Sequence, residues 1–106
     1  MNSKNPTKSS RFALTNRKQR AQELALDALL YLAKDDELMA RFLAETGFDA
    51  SDLRRNAEDP GFASAMLDYL CSDESLLVAF AADRGIDPAE PEAARQYLVH
   101  GDHDSP

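Results

Sequence analysis

The chain has no tryptophan, one cysteine, two histidines and four glycines in 106 residues. A single thiol excludes a disulfide framework and suits a reducing compartment. No run free of charged residues approaches the ~20 that a membrane-spanning helix requires. Val, Ile and Thr are scarce, and no stretch alternates apolar with polar residues, so strands have no candidate. A glycine-rich phosphate loop, a Cys-x-x-Cys pair and a His-Glu-x-x-His string are also missing. Acids are absent from the first 20 residues.

What is present is enough for one small acidic domain, with 19 Asp and Glu against 12 Lys and Arg and a net charge of −7. The charge is segregated. Residues 1–20 carry Lys4, Lys8, Arg11, Arg17, Lys18 and Arg20, a charge of +6, and everything after them sums to −13. The segment 1–15 is too polar to bury much surface and is expected to form a disordered basic arm. A signal peptide would follow its bases with about 7–15 apolar residues. Glu23 and Asp27 interrupt that run. The composition also has something of an organellar transit peptide, but the reading that follows best is a cytoplasmic protein. The short polar tail, 101–106, is expected to fray.

Between the ends lies an internal similarity. Laying residues 29–49 over 67–87 pairs nine identical residues of 21: Leu29/Leu67, Tyr31/Tyr69, Leu32/Leu70, Asp35/Asp73, Leu38/Leu76, Phe42/Phe80, Ala44/Ala82, Gly47/Gly85 and Asp49/Asp87. Two copies do not make a solenoid. They point instead to a pseudo-symmetric bundle with one core, its halves spanning about 17–57 and 60–100.

Each half has a legible grammar. Ala21, Leu24, Ala25, Ala28, Leu29 and Leu32 recur at helical spacing over 17–33, and Leu26, Leu30 and Ala33 widen that stripe. Asp35 or Asp36 caps a second helix whose inner face is Leu38, Met39, Phe42 and Leu43. Gly47 ends it, with Phe48 placed to close a Schellman contact, and Asp49 opens a short third helix to about Ala57. In the second half, Asp59-Pro60 starts the helix carrying Phe62, Ala63, Met66, Leu67 and Leu70. Asp73 caps the next, Gly85-Ile86 ends it, and Asp87-Pro88 opens the last, whose start Pro91 is expected to delay. The expected architecture is all-α: a compact bundle of about six short helices in one domain, 16–100. Its core is expected to hold Leu24, Leu29, Leu32, Leu38, Phe42, Phe48, Leu53, Phe62, Met66, Leu67, Leu70, Leu76, Leu77, Phe80, Ile86 and Leu98.

The string L-D-[AY]-L with D-[DE]-x-L-x-x-F-x-A-x-x-G-[FI]-D, followed by A-R-x-x-L, resembles a small and mostly alphaproteobacterial family, a domain of unknown function. The resemblance covers about residues 22–98. It implies a helical bacterial protein of the cytoplasm and supplies no catalytic residue, because its motifs are caps and core positions.

Chemistry-bearing residues are sparse. His100, Asp102, His103 and Asp104 have metal-ligand types but no rigid element to hold them. Cys71 corresponds to Ala33 in the first half and reads as a packing residue. The pairs Asp35-Asp36 and Asp73-Glu74 sit at helix starts, where capping accounts for them. No histidine within the helical body is available to activate a serine. The chain is therefore expected to be no enzyme and to need no cofactor or metal.

Tyr31 and Tyr69 occupy matching positions at the edges of their helices, where tyrosine serves recognition or covers a core. With Arg11, Arg17, Lys18 and Arg20 they are the candidate partner-binding residues. The leading expectation is a protein-interaction or regulatory module that docks another protein. The alternatives are a structural homo-oligomer, such as a homodimer neutralised in trans, and weak nucleic-acid binding through the arm. The −13 body, repelling phosphate, argues against the last. The core assignment has a direct check: Phe42→Asp buries an unpaired charge at a cost of several kcal/mol. Circular dichroism should find this variant unfolded at temperatures where the parent is folded.

Overall fold

A computed structural model describes the backbone of residues 6–56 and 59–100, and the side chains of residues 16–53, 55–56, 59 and 61–99. Six helices account for it: α1 (Pro6–Ala33), α2 (Asp36–Thr46), α3 (Ala50–Asn56), α4 (Pro60–Cys71), α5 (Glu74–Arg84) and α6 (Ala89–His100). No strand occurs among the described residues. The fold class is the all-α one expected from the periodicity.

Capping sets the boundaries. Asp35, rather than Asp36, caps α2, its carboxylate accepting from the N–H groups of Glu37 and Leu38 at 2.9 and 3.3 Å. Asp73 does the same for α5 through Leu76 N–H at 3.2 Å. Asp59 caps α4 through Gly61 N–H at 2.9 Å, with Pro60 at the first helical position, where a missing N–H costs nothing. Asp49 and Asp87 accept from Ser51 N–H and Ala89 N–H at 3.1 and 2.9 Å. Gly47 and Gly85 end α2 and α5 at φ +79° and +69°, a region open to glycine at little cost.

Several details differ from expectation. First, α2 does not end in a Schellman motif. Gly47 N–H bonds to Leu43 C=O at 2.9 Å, while Phe48 N–H is taken by Thr46 Oγ1 at 3.3 Å. The Schellman pattern appears only at α5, where Ile86 N–H reaches Ala81 C=O at 3.0 Å. Second, Pro91 does not delay α6. It lies in the first turn, where N–H groups have no intrahelical acceptor, and it is fully buried. Third, α1 starts at Pro6 rather than near residue 17. No Gly or Pro interrupts residues 7–33, and Pro6 takes the first helical position.

Packing centres on α1. It lies against α4 and α6, α6 also lies along α4, and α2 and α5 pack on α1 and α4 respectively. The core contains Ala21, Leu24, Ala25, Ala28 and Leu32 of α1, Phe42 of α2, Leu53 of α3, Phe62, Ala63, Met66, Leu67 and Leu70 of α4, and Leu76 and Phe80 of α5. Leu29, Leu38, Phe48, Leu77, Ile86 and Leu98 pack against it half-buried. The widened stripe on α1 is not observed. Leu26 and Leu30 are 40% and 52% exposed and Ala33 is exposed, because all of the neighbouring helices lie on the Ala21–Leu24–Ala28 side.

The two halves exchange aromatic contacts. Tyr31 meets Phe80 edge-on with centroids 5.6 Å apart, and Tyr69 meets Phe42 edge-on at 5.0 Å. Position 31 corresponds to 69 and 42 to 80, so each half lends its tyrosine to the other's phenylalanine. The correspondence stops at α3 and α6: α6 fills the groove along α1 and α4, and α3 does not pack comparably. It stops also at residue 22, the counterpart of Pro60, so the first 16 residues of α1 have no equivalent. Edge-on pairs are worth ~0.5–1.5 kcal/mol beyond area burial. Double-mutant cycles on Tyr31/Phe80 and Tyr69/Phe42, using leucine, should each return coupling in that range by urea unfolding. Zero coupling at both would remove the cross-half contacts as a source of stability.

Candidate functional site

The basic residues singled out from sequence divide. Arg11 lies in α1, its side chain outside the described residues. Arg17 and Lys18 are exposed on α1. Arg20 is drawn to α6: its guanidinium bonds Glu90 Oε1 at 2.9 Å and lies 3.5 Å from Glu23. The bond to Glu90 is the main reason its pKa rises. The side chains in that pair are 42% and 45% exposed, so its worth is that of a surface ion pair, ~0–1 kcal/mol. Arg20 thus bridges α1 to α6, a contact nothing in the local sequence announces, since its partner is 70 residues away.

Between α1 and α6 a cleft of about 340 Å³ is lined by Arg17, Arg20, Leu24, Glu90, Ala94 and Tyr97 among others. It brings two of the candidate arginines to one place. Tyr31 and Tyr69 are not part of it. Both are half-buried, their rings committed to Phe80 and Phe42, and burial pushes the Tyr69 hydroxyl up, with Glu45 adding to the shift.

On the opposite side of α1, Leu26 and Leu30 stand one turn apart in solvent, with Glu23 exposed and Asp27 half-buried beside them. Asp27 C=O accepts a 3.2 Å bond from Arg84, whose guanidinium also lies 5.9 Å over the Phe80 ring. By spacing, Leu26 and Leu30 are expected to widen the apolar stripe of α1, outside the expected core itself. Periodicity alone could not separate them from buried leucines, because α1 is apolar around more than half its circumference and only neighbouring helices decide which side is covered.

A third cluster surrounds Cys71 at the end of α4. Arg95 lies 3.4 Å from Asp68 and 3.6 Å from Glu92, while Arg95 Nε and Glu92 Oε1 are buried without a hydrogen-bond partner. Burial first, then the Glu92 carboxylate, pushes the Cys71 thiol up to about 12. The group is a protonated thiol at neutral pH, the opposite of an activated nucleophile. The paired acids are caps: Asp35 and Asp73 spend their carboxylates on backbone N–H groups. Among the described residues, no group of three or more His, Cys, Asp or Glu is placed to hold a metal ion, and no helix is long and apolar enough to cross a membrane. Asp102, His103 and Asp104 lie outside the described residues, as does the His100 side chain.

The chain belongs to the family described as protein of unknown function (DUF3572), whose model matches residues 18–101. The match is somewhat wider than the span carrying the sequence resemblance, and it begins at Lys18, leaving the earlier basic residues outside. No curated protein and no solved structure matches the chain.

The raised thiol pKa gives stability a signed pH dependence. An unfolded chain ionises Cys71 near 9 and the folded chain only near 12. The neutral thiol's contribution is therefore whole below pH 9 and is lost as pH rises through that interval. Urea unfolding between pH 8 and pH 10 should show a steeper loss of stability for the parent than for Cys71→Ala. Equal slopes would place the thiol in water.

Proposed function

We propose that this protein is a non-catalytic protein-interaction module of the bacterial cytoplasm, with α1 as its docking element. The observation that carries this reading is the outer face of α1. Leu26 and Leu30 project there from a helix whose other side is covered by α4 and α6. Scattered exposed leucines are ordinary. These two share one face, one turn apart, on the helix that also bears Arg17 and Lys18 in solvent. Among the described residues α1 contributes to the core from Ala21 onward, and residues 6–21 have no equivalent in the second half of the chain. Such an extension is intelligible as contact area for something else.

The non-catalytic part is supported by the employment of the reactive groups. One acid of each pair, Asp35 and Asp73, caps a helix, and the one thiol is held protonated. Nucleic-acid binding through the basic residues is the weaker reading, since Arg20 is engaged by Glu90 and Glu23 and the rest of the chain is strongly acidic.

The test is a nuclease-treated affinity capture from host lysate, comparing the parent with Leu26→Lys/Leu30→Lys. Both residues are exposed, so the variant should keep its helicity and melting temperature. A defined protein retained by the parent and reduced tenfold or more by the variant is the expected result. Identical sets retained by both would overturn α1 as the docking element.

A further inference from the structure

We infer that the cleft between α1 and α6 binds a small monocarboxylate with an apolar body. Arg17 takes the carboxylate, and the hydrocarbon part sits against Leu24, Ala94 and Tyr97. The site lies away from Leu26 and Leu30, so the inference goes beyond the docking reading and does not rest on it.

The cleft is made by one spacing on each helix. Arg17, Arg20 and Leu24 stand at i, i+3 and i+7 and share one face of α1. Glu90, Ala94 and Tyr97 stand at i, i+4 and i+7 and share one face of α6. The methyl side chains of Ala93 and Ala94 leave open the space that larger residues would fill. Each lining stretch covers about 10 Å of its helix, at 1.5 Å of rise per residue. The volume of about 340 Å³ is at the small end of the range for ligand pockets, ~300–1,000 Å³. An opening of that length and volume suits one small molecule rather than a helix or a nucleic-acid strand.

Charge selects what enters it. Arg20 is already engaged, by Glu90 at 2.9 Å and Glu23 at 3.5 Å. Arg17 is exposed and has no carboxylate within ion-pair distance among the described residues. The cleft thus offers one guanidinium without a counterion among those residues, and its planar fork matches a carboxylate. Glu90 at the same opening and the net charge of −7 act against phosphate dianions and polyanions. A carboxylate alone gains little at an exposed guanidinium. Leu24, Ala93, Ala94 and the Tyr97 ring supply the remaining contact, which rewards a hydrocarbon body that displaces water from them.

The test is a titration of the full chain with phenylpropionate and with octanoate, an aromatic and a straight-chain body, followed by amide chemical shifts. Saturable shifts are expected, concentrated in residues 17–24 and 90–97. Phenylpropionamide, which has the same body without the charge, and acetate, which has the charge without the body, should each bind at least tenfold more weakly. Arg17→Gln should lose tenfold or more in affinity, as should Ala93→Leu, which fills the cleft and keeps the arginine. Both positions are exposed, so circular dichroism and melting temperature should be unchanged.

No saturable shift with either acid, up to the limit of its solubility, overturns the inference. An amide that binds as well as its acid, or undiminished binding by Arg17→Gln, overturns the role of the carboxylate. Undiminished binding by Ala93→Leu removes the cleft as the seat. Each of these failures is distinct from failure of the docking reading, which is decided at Leu26 and Leu30.

Discussion

The stripe of alanines on α1 is what the rest of the molecule depends on. Ala21, Ala25 and Ala28 are essentially inaccessible, and Ala63 on α4 is equally buried. Small residues at these places let helices approach closely, while Leu24 and Leu32 fill the space between them. Because α4 and α6 both lie against α1, this one helix organises the core, and its buried side chains among the described residues are alanine and leucine. The buried phenylalanines among the described residues come from other helices: Phe42, Phe62 and Phe80 are delivered by α2, α4 and α5.

The arrangement has consequences for both faces of α1. The covered side is committed to intramolecular packing, and Arg20 extends that commitment to the surface through Glu90. On the outer side Leu26 and Leu30 are exposed in the described structure, so they and the exposed charges are available to a partner. A short chain has few helices with which to cover a 28-residue one.

Correspondence between the halves is strongest where local geometry is demanding. The caps at Asp35 and Asp73, the left-handed glycines at 47 and 85, and the turns opened by Asp49 and Asp87 all match. It is weakest in the long-range packing. α6 packs along both α1 and α4, and α3 does not pack comparably. The reciprocal tyrosine–phenylalanine contacts lie between these extremes. Their residues match in sequence, yet their meeting across the halves is a tertiary event.

The sequence by itself determined helix number, most helix boundaries and membership of the core. Those depend on interactions within a few residues, such as an aspartate and the N–H groups that follow it, or on a period that one helix displays alone. The elements did not need one another to be recognised. It also identified Arg17, Lys18 and Arg20 as unusual, since a base-only segment before an acidic body is visible in any linear count. Only the tertiary structure decided that Leu26 and Leu30 face water, that Arg20 is held by α6, and that Cys71 is pushed away from reactivity by burial beside Glu92. Each of these depends on which helices stand where, and a residue's neighbours across 20 to 70 positions of chain leave no mark in its local pattern.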